Sequence, residues 1–187
     1  MSIKVFIDQG HNPVNPNAGA EGNGLREQDV VYEIGVRLAD ILNSDQNYEA
    51  RLSRPSRDTQ LGNSNATSLA ARTNAANAWG ADVFISLHCN ASVDKSATGT
   101  EALVYSTDTP AYPLAEDILE GIVEATGLRN RGVKLRPGLY VLRKTEMPAT
   151  LLELGFISNP QDAALLSGSP QLFARGIYNG LNRFYGF

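Results

Sequence analysis

Cysteine is nearly absent from this 187-residue chain: Cys89 stands alone, so no internal disulfide can form and no Cys-rich zinc site can be built. Histidine is almost as scarce. Only His11 and His88 occur, and any imidazole chemistry must use one or both. A basic excess is also missing. The 16 Lys and Arg stand against 20 Asp and Glu, a formal charge of -4, which argues against a nucleic-acid partner. No apolar run approaches the roughly 20 residues that span a bilayer, so no transmembrane segment is expected. The opening Met1 to Asp8 is too short and too soon broken by charge for a signal peptide, and an export signal is expected outside this chain.

What is present is ordinary for a folded enzyme or binding domain. With 42% of residues hydrophobic and 19% charged, neither disorder nor a fibrous repeat fits. The length suits one domain of about 100 to 200 residues, so residues 1–187 are expected to form a single domain. Short apolar runs alternate with helical periods. Strands are predicted at Ile3 to Asp8, Tyr48 to Ser53, Val83 to His88, Thr100 to Tyr105, Leu139 to Leu142 and Ala149 to Leu154. Helices are predicted from Arg26 to Asn43, from an N-cap at Ser68 to Trp79, from Leu114 to Gly127, and along the face Phe173, Ile177, Leu181 and Phe184. This alternation predicts an α/β domain: a largely parallel, twisted sheet of about six strands with helices on both faces.

In such folds ligands collect beyond the carboxyl ends of the strands. His11 follows the first strand, His88 ends the third, and Glu153 lies near the end of the last. Glu27 sits in the first turn of the first helix and reaches the same edge. Two imidazoles with a carboxylate make a catalytic zinc set with one position open, and a second carboxylate nearby can take a proton from water. Spacing alone does not choose Glu27 over Glu21 or Glu33, and a carboxylate in a helix's first turn also has a purely stabilising role. Glu153 is different. Its setting, Leu151-Leu152-Glu153-Leu154-Gly155-Phe156, is apolar, and an ionised carboxylate there is costly without a partner or nearby cation.

Four blocks now carry a resemblance: Phe6-Ile7-Asp8-Gln9-Gly10-His11, Gly24-Leu25-Arg26-Glu27, Phe84-Ile85-Ser86-Leu87-His88-Cys89-Asn90-Ala91, and Leu151-Leu152-Glu153-Leu154-Gly155-Phe156-Ile157-Ser158-Asn159. Together with Leu69, Arg72 and Asn130-Arg131-Gly132-Val133-Lys134, the chain resembles the zinc-dependent N-acetylmuramoyl-L-alanine amidases. The resemblance implies one zinc per chain bound by His11, Glu27 and His88, with Glu153 as the catalytic glutamate. It implies peptidoglycan as substrate, cut between the lactyl group of muramic acid and the first alanine of the stem peptide. Action on the bacterial cell wall follows, as in autolysins, with wall targeting left to a segment or partner outside this chain. Gln9 and Asn12 depart from the family's usual proline and glycine, and are expected to alter the loop around His11 and the cleft rim. A wall-binding module would be expected to lack one of the four site residues. A zinc peptidase would share the chemistry but not the bond cut.

Other features are weighed beside these. Cys89 follows His88, but successive strand side chains diverge, so it is expected as a small buried residue. Asn90 is expected to support the site or form a turn. Arg129, Arg131, Lys134, Arg136, Arg143 and Lys144 concentrate positive charge, either as a solvated face or toward carboxylates of the stem peptide. Trp79 is expected in the core.

Overall fold

Alternating apolar runs put β-branched and aromatic residues on both sides of a buried sheet, and the helical periods fold back over it. The computed structural model describes residues 2–187. Its elements are β1 (Ile3–Gln9), β2 (Glu21–Gly22), β3 (Leu25–Arg26), α1 (Glu27–Asn43), β4 (Tyr48–Leu52), α2 (Asn65–Trp79) and β5 (Val83–Asn90). They continue as β6 (Thr100–Val104), α3 (Ala111–Thr126), β7 (Asn130–Leu135), α4 (Tyr140–Lys144), β8 (Ala149–Phe156), α5 (Pro160–Gly168) and α6 (Pro170–Tyr185). One 6-stranded sheet has the order β4-β1-β5-β8-β6-β7, and β2 with β3 forms a separate small hairpin. The single α/β domain with helices on both faces is the expected one.

The sheet is mixed. β4, β1, β5 and β8 run parallel, whereas β6 is antiparallel to β8 and carries β7 parallel to itself. The link from β5 to β6, residues 91–99, contains no helix and is shorter than the dozen or more residues a parallel crossover needs, so β6 returns in the opposite direction.

The two faces are packed unequally. Val5, Ile7, Ile85, Leu87, Leu152 and Leu154 meet α1, α3 and α6 in the larger core. There α3 and α6 touch backbone to backbone: a Cβ on Gly180 would lie 2.3 Å from Ile118 Cα. On the other face Phe6, Phe84, Leu103 and Leu151 pack with Ala76 of α2 and with Val141 and Leu142 of α4. Of these two covers α2 runs 15 residues and α4 only 5, and the same alternation continues outward along the strands into Asp8, Ser86, His88 and Glu153.

Two local expectations need correction, and two further elements were not foreseen. Leu139 to Leu142 is not a strand: Leu139 is an extended cap and the helix α4 follows. A short apolar run does not distinguish the two, and this one lies across the sheet, where a helical turn buries Val141 and Leu142 together. The N-cap of α2 is Ser64, in a capping box with Thr67, while Ser68 lies inside the first turn, where its Oγ accepts from Asn17 Nδ2 at 3.1 Å. The edge strand β7 was not expected; its charged sequence and a register shift opposite β6 hide its periodicity. Nor was α5, although Asn159 followed by Pro160 is a helix-start signal.

Candidate metal centre and active site

The site grows from three chain reversals at the carboxyl end of β1, β5 and β8. After β1, Gly10 N–H donates to Leu87 O at 3.0 Å, and a Cβ on Gly10 would stand 2.5 Å from His88 Cε1. Only glycine lets the backbone pass that ring. The chain then turns through the left-handed region at His11 (φ 66). Its carbonyl is held by Arg72 Nη2. A loop returns to α1, where Glu27 occupies the first helical position. Glu27 Oε2 accepts from Ala20 N at 2.9 Å, and its Oε1 accepts from Cys89 N at 2.9 Å.

Three side chains thereby converge. His11 Nε2 and His88 Nδ1 each lie 3.0 Å from Glu27 Oε1, and 3.2 Å from one another. Burial alone would raise the Glu27 carboxyl, but hydrogen bonds from His11 and His88 outweigh it and hold it far below the ordinary carboxylate range. Burial lowers His88, and the Glu27 partnership more than offsets this, so its pKa is raised. Two imidazole nitrogens and one carboxylate oxygen, all within 4.8 Å of each other, form a group that could hold a metal ion. The donor set is the kind that catalytic zinc takes, and the histidines keep 20% of their side-chain surface open for a further ligand.

Glu153 stands directly opposite His88 across β5 and β8. Its Oε2 is buried without a hydrogen-bond partner. Burial is the first cause of its altered titration, with the charges of Glu27 and Glu101 adding to it and His88 opposing, and together they push its pKa up to about 7. On its other side Glu101 of β6 is in register with it. Glu101 is buried, accepts from Arg131 Nε at 3.1 Å and from Lys134 Nζ, and receives Asn90 Nδ2 at 3.4 Å. Asn90 thus does reach the edge of the site. Glu101 was missed in the sequence, though Thr100-Glu101-Ala102-Leu103-Val104 carries the signal that marked Glu153: a carboxylate inside an apolar strand.

A second buried group lies under the histidines. Arg72 Nη1 meets Asp8 Oδ1 at 2.7 Å, and Ser86 Oγ donates to Asp8 Oδ2 at 2.7 Å. A mainly apolar cavity of about 190 Å³ opens beside it, between Leu69, Leu139, Val141 and the two histidines. A larger cavity of about 490 Å³ lies near Tyr105, Leu142 and Met147 at the opposite end of β8, remote from the converging side chains. Gln9 and Asn12 are both buried. Gln9 Oε1 accepts from Arg54 N at 2.9 Å, and Asn12 Nδ2 donates to the carbonyls of Pro16 and Leu61 at 2.9 Å. They brace the loop after β1 from within. Trp79 is half-buried at the margin of the smaller core, with the Arg51 guanidinium 4.5 Å over its ring.

A family model described as N-acetylmuramoyl-L-alanine amidase matches residues 5–183. The chain belongs to the N-acetylmuramoyl-L-alanine amidase family. Among its relatives, an amidase named CwlM from Bacillus licheniformis is 40% identical over 98% of this chain and 69% of its own length. A sporulation-specific N-acetylmuramoyl-L-alanine amidase from Bacillus subtilis is 37% identical over 98% of this chain and 68% of its own. Among solved structures, an N-acetylmuramoyl-L-alanine amidase from Clostridium difficile 630 superposes with a TM-score of 0.89 at 29% identity, covering 99% of this chain and 97% of that one. As a member of this family, the chain brings together all four residues singled out in its sequence. Of its six clustered basic residues, only Arg131 and Lys134 meet the site; Arg129, Arg136, Arg143 and Lys144 are exposed.

Proposed function

We propose that this chain hydrolyses the amide bond between the lactyl group of N-acetylmuramic acid and the L-alanine of the peptidoglycan stem peptide, using one zinc ion held by His11, Glu27 and His88. The observation that carries this reading is the juxtaposition of two groups. A His-Glu-His set shares one point, and Glu153, with an oxygen free of hydrogen bonds, is in register beside it. Zinc bound there supplies Lewis-acid chemistry, acidifying water and polarising a carbonyl oxygen.

The chain's own residues do the rest. Glu153 takes the proton of the attacking water and delivers it to the leaving alanine nitrogen. Burial raises the Glu153 carboxyl and so makes it a stronger base than an exposed carboxylate, which suits a group that accepts a proton and then releases it. The N–H groups of Ala20 and Cys89 fix the Glu27 carboxylate, and Arg72 fixes the His11 carbonyl, so the metal-facing atoms are oriented from behind. Among the described residues no helix is long and apolar enough to cross a membrane. The proposed substrate places the reaction at the bacterial cell wall, with targeting supplied by another segment or a partner.

Two measurements test the reading together. Elemental analysis of protein purified without added metal is expected to give one zinc per chain, lost in His88→Ala. Digestion of purified peptidoglycan is expected to release stem peptides with a free N-terminal alanine while the glycan stays whole. Cuts within the stem peptide would make the protein a peptidase instead, and unchanged metal content in His88→Ala would refute the ligand set.

A further inference from the structure

The sheet sets its charged rim groups in a line. From β1 toward β7 the rim carries His11, then His88, Glu153 and Glu101, and finally Arg131 near the start of β7; Lys134, three residues further along β7 and level with Leu103, reaches back to Glu101 with its ammonium group. Two cations therefore share the one buried carboxylate of Glu101. Their donors are not used up. Lys134 Nζ has a single hydrogen-bond partner, and Arg131 donates through Nε to Glu101 and through Nη1 to Thr98 O at 3.2 Å, leaving Nη2 with no partner among the described residues. Their side chains remain 28% and 33% exposed. Holding Glu101 in place asks for one cation, not two.

The direction of the reaction says what would lie there. If Glu153 delivers a proton to the leaving alanine nitrogen, the peptide extends from Glu153 away from His11 and Glu27, and so toward β6 and β7. Neighbouring strands lie about 4.8 Å apart, which places the cations one to two strand spacings beyond Glu153, roughly 5–10 Å. An extended peptide covers about 3.3–3.6 Å per residue, so this distance falls at the second residue. In stem peptides that residue is a glutamate joined through its side chain, whose α-carboxyl group is either free or amidated. We infer that Arg131 and Lys134 form a carboxylate subsite for the second stem-peptide residue, and that this pair sets a preference for the free acid over the amide. Arginine and lysine donors strengthen markedly toward an ionised oxygen, which an amide does not offer. The inference rests on the amidase reading above and adds to it which chemical form of the stem peptide is taken.

The test compares two probes, N-acetylmuramoyl-L-alanyl-γ-D-glutamyl-L-lysinamide with a free glutamate α-carboxylate and the same compound with that carboxyl amidated, using the full zinc-loaded chain. We expect kcat/KM to favour the acid by about tenfold, the scale of one charge-assisted hydrogen bond over a neutral one. In Lys134→Gln, where Arg131 still pairs with Glu101, the ratio should fall below about threefold, and Lys134→Arg should restore it. A second readout needs no turnover: titration of the products L-alanyl-γ-D-glutamyl-L-lysinamide and its α-amidated counterpart, followed by NMR, should show the same preference and its loss. Equal rates and equal binding for the two forms would overturn the subsite while leaving the amidase reading intact. A fall in both rates with the ratio preserved would also overturn it, since that is the mark of a residue serving only Glu101. Failure to cleave either probe, with peptidoglycan equally untouched, would overturn the amidase reading and this inference with it.

Discussion

Two buried charged groups lie side by side on one face of the sheet and are completed in opposite ways. Asp8 and Arg72 are each 1% exposed, and both charges are paired: Asp8 with Arg72 and Ser86, Arg72 also with the carbonyls of Gln9 and His11, while Arg72 Nε alone has no hydrogen-bond partner. One strand position further out, His11, Glu27, His88 and Glu153 are packed just as closely but left incomplete. Glu153 Oε2 and His11 Nδ1 are buried without hydrogen-bond partners, and the ligand atoms of His11, Glu27 and His88 converge within 4.8 Å of one another. A buried charge paired with its partner is a fastening; a convergence of two imidazoles and a carboxylate is a set of ligands that a cation can share. The first group makes the second possible, because Arg72 anchors the backbone that turns His11 inward.

The sharpest way to break the comparison is Glu153→Gln. If the incomplete group is the catalytic one, the amide keeps the shape but cannot accept a proton, and kcat should fall by about 10²–10⁴ with zinc still bound. Turnover within tenfold of the parent would move the proton-transfer role elsewhere. The same variant also tests the cause of the raised pKa. In metal-free protein the Glu153 carboxyl titrates at about 7 in the folded state, against an ordinary 4.5. The folded state therefore holds the proton more tightly, so this stabilising contribution is complete below pH 4.5 and is lost as pH rises through about 7. By linkage its size is at most about 3 kcal/mol. Thermal melts of chelated protein should show Glu153→Gln gaining on the parent between pH 5 and 8. A pH-independent difference would mean the carboxyl is not held protonated.

Next in size is Arg72→Met, which strips the finished group. Asp8 stays buried with only Ser86 for a partner. Burial tends to raise its carboxyl, and at present Arg72 and Ser86 more than offset that. Removing one member of a buried pair costs about 3–5 kcal/mol, so the urea midpoint should drop accordingly. Adding Asp8→Asn should recover part of the loss, because the orphaned charge goes with it. A loss of unfolding free energy under about 1 kcal/mol would show that the pair is not what fastens this face.

The finished group and the incomplete one were not equally legible in the sequence. His11, His88 and Glu153 could be placed because strand ends are visible in apolar runs, and a carboxylate between leucines has few structural reasons to be there. Glu27 could not be separated from Glu21 or Glu33 by spacing. The structure separates them by surroundings: the Glu21 side chain is 71% exposed, and Glu33 pairs with Arg37 at 2.7 Å along the outside of α1. Only the resemblance pointed to Glu27. The reversal of β6 and the helical turn at Tyr140–Lys144 escaped because both depend on which edges and faces other elements have already filled. The role of Glu101 escaped for a related reason. Its meaning comes from a register that puts it opposite Glu153, and register is a property of two strands rather than one.

The smallest expected effect is at Cys89, and it tests whether the incomplete group ends where the geometry says it does. Cys89 touches the site through its backbone alone: its N–H donates to Glu27 Oε1, while the side chain packs among the residues of the larger core on the far face of the sheet. Burial, with smaller contributions from Glu27 and Glu153, raises its thiol well above the ordinary value, so no thiolate is available near neutral pH. Cys89→Ser keeps the backbone donor and should leave kcat/KM within about twofold. The cost falls on stability instead, about 1–3 kcal/mol if the new hydroxyl finds no partner in the core. Iodoacetamide should label the native protein slowly and the denatured protein fast. Rapid inactivation by alkylation with zinc still bound would place the thiol inside the reacting group, and the boundary between the two faces would have to be redrawn.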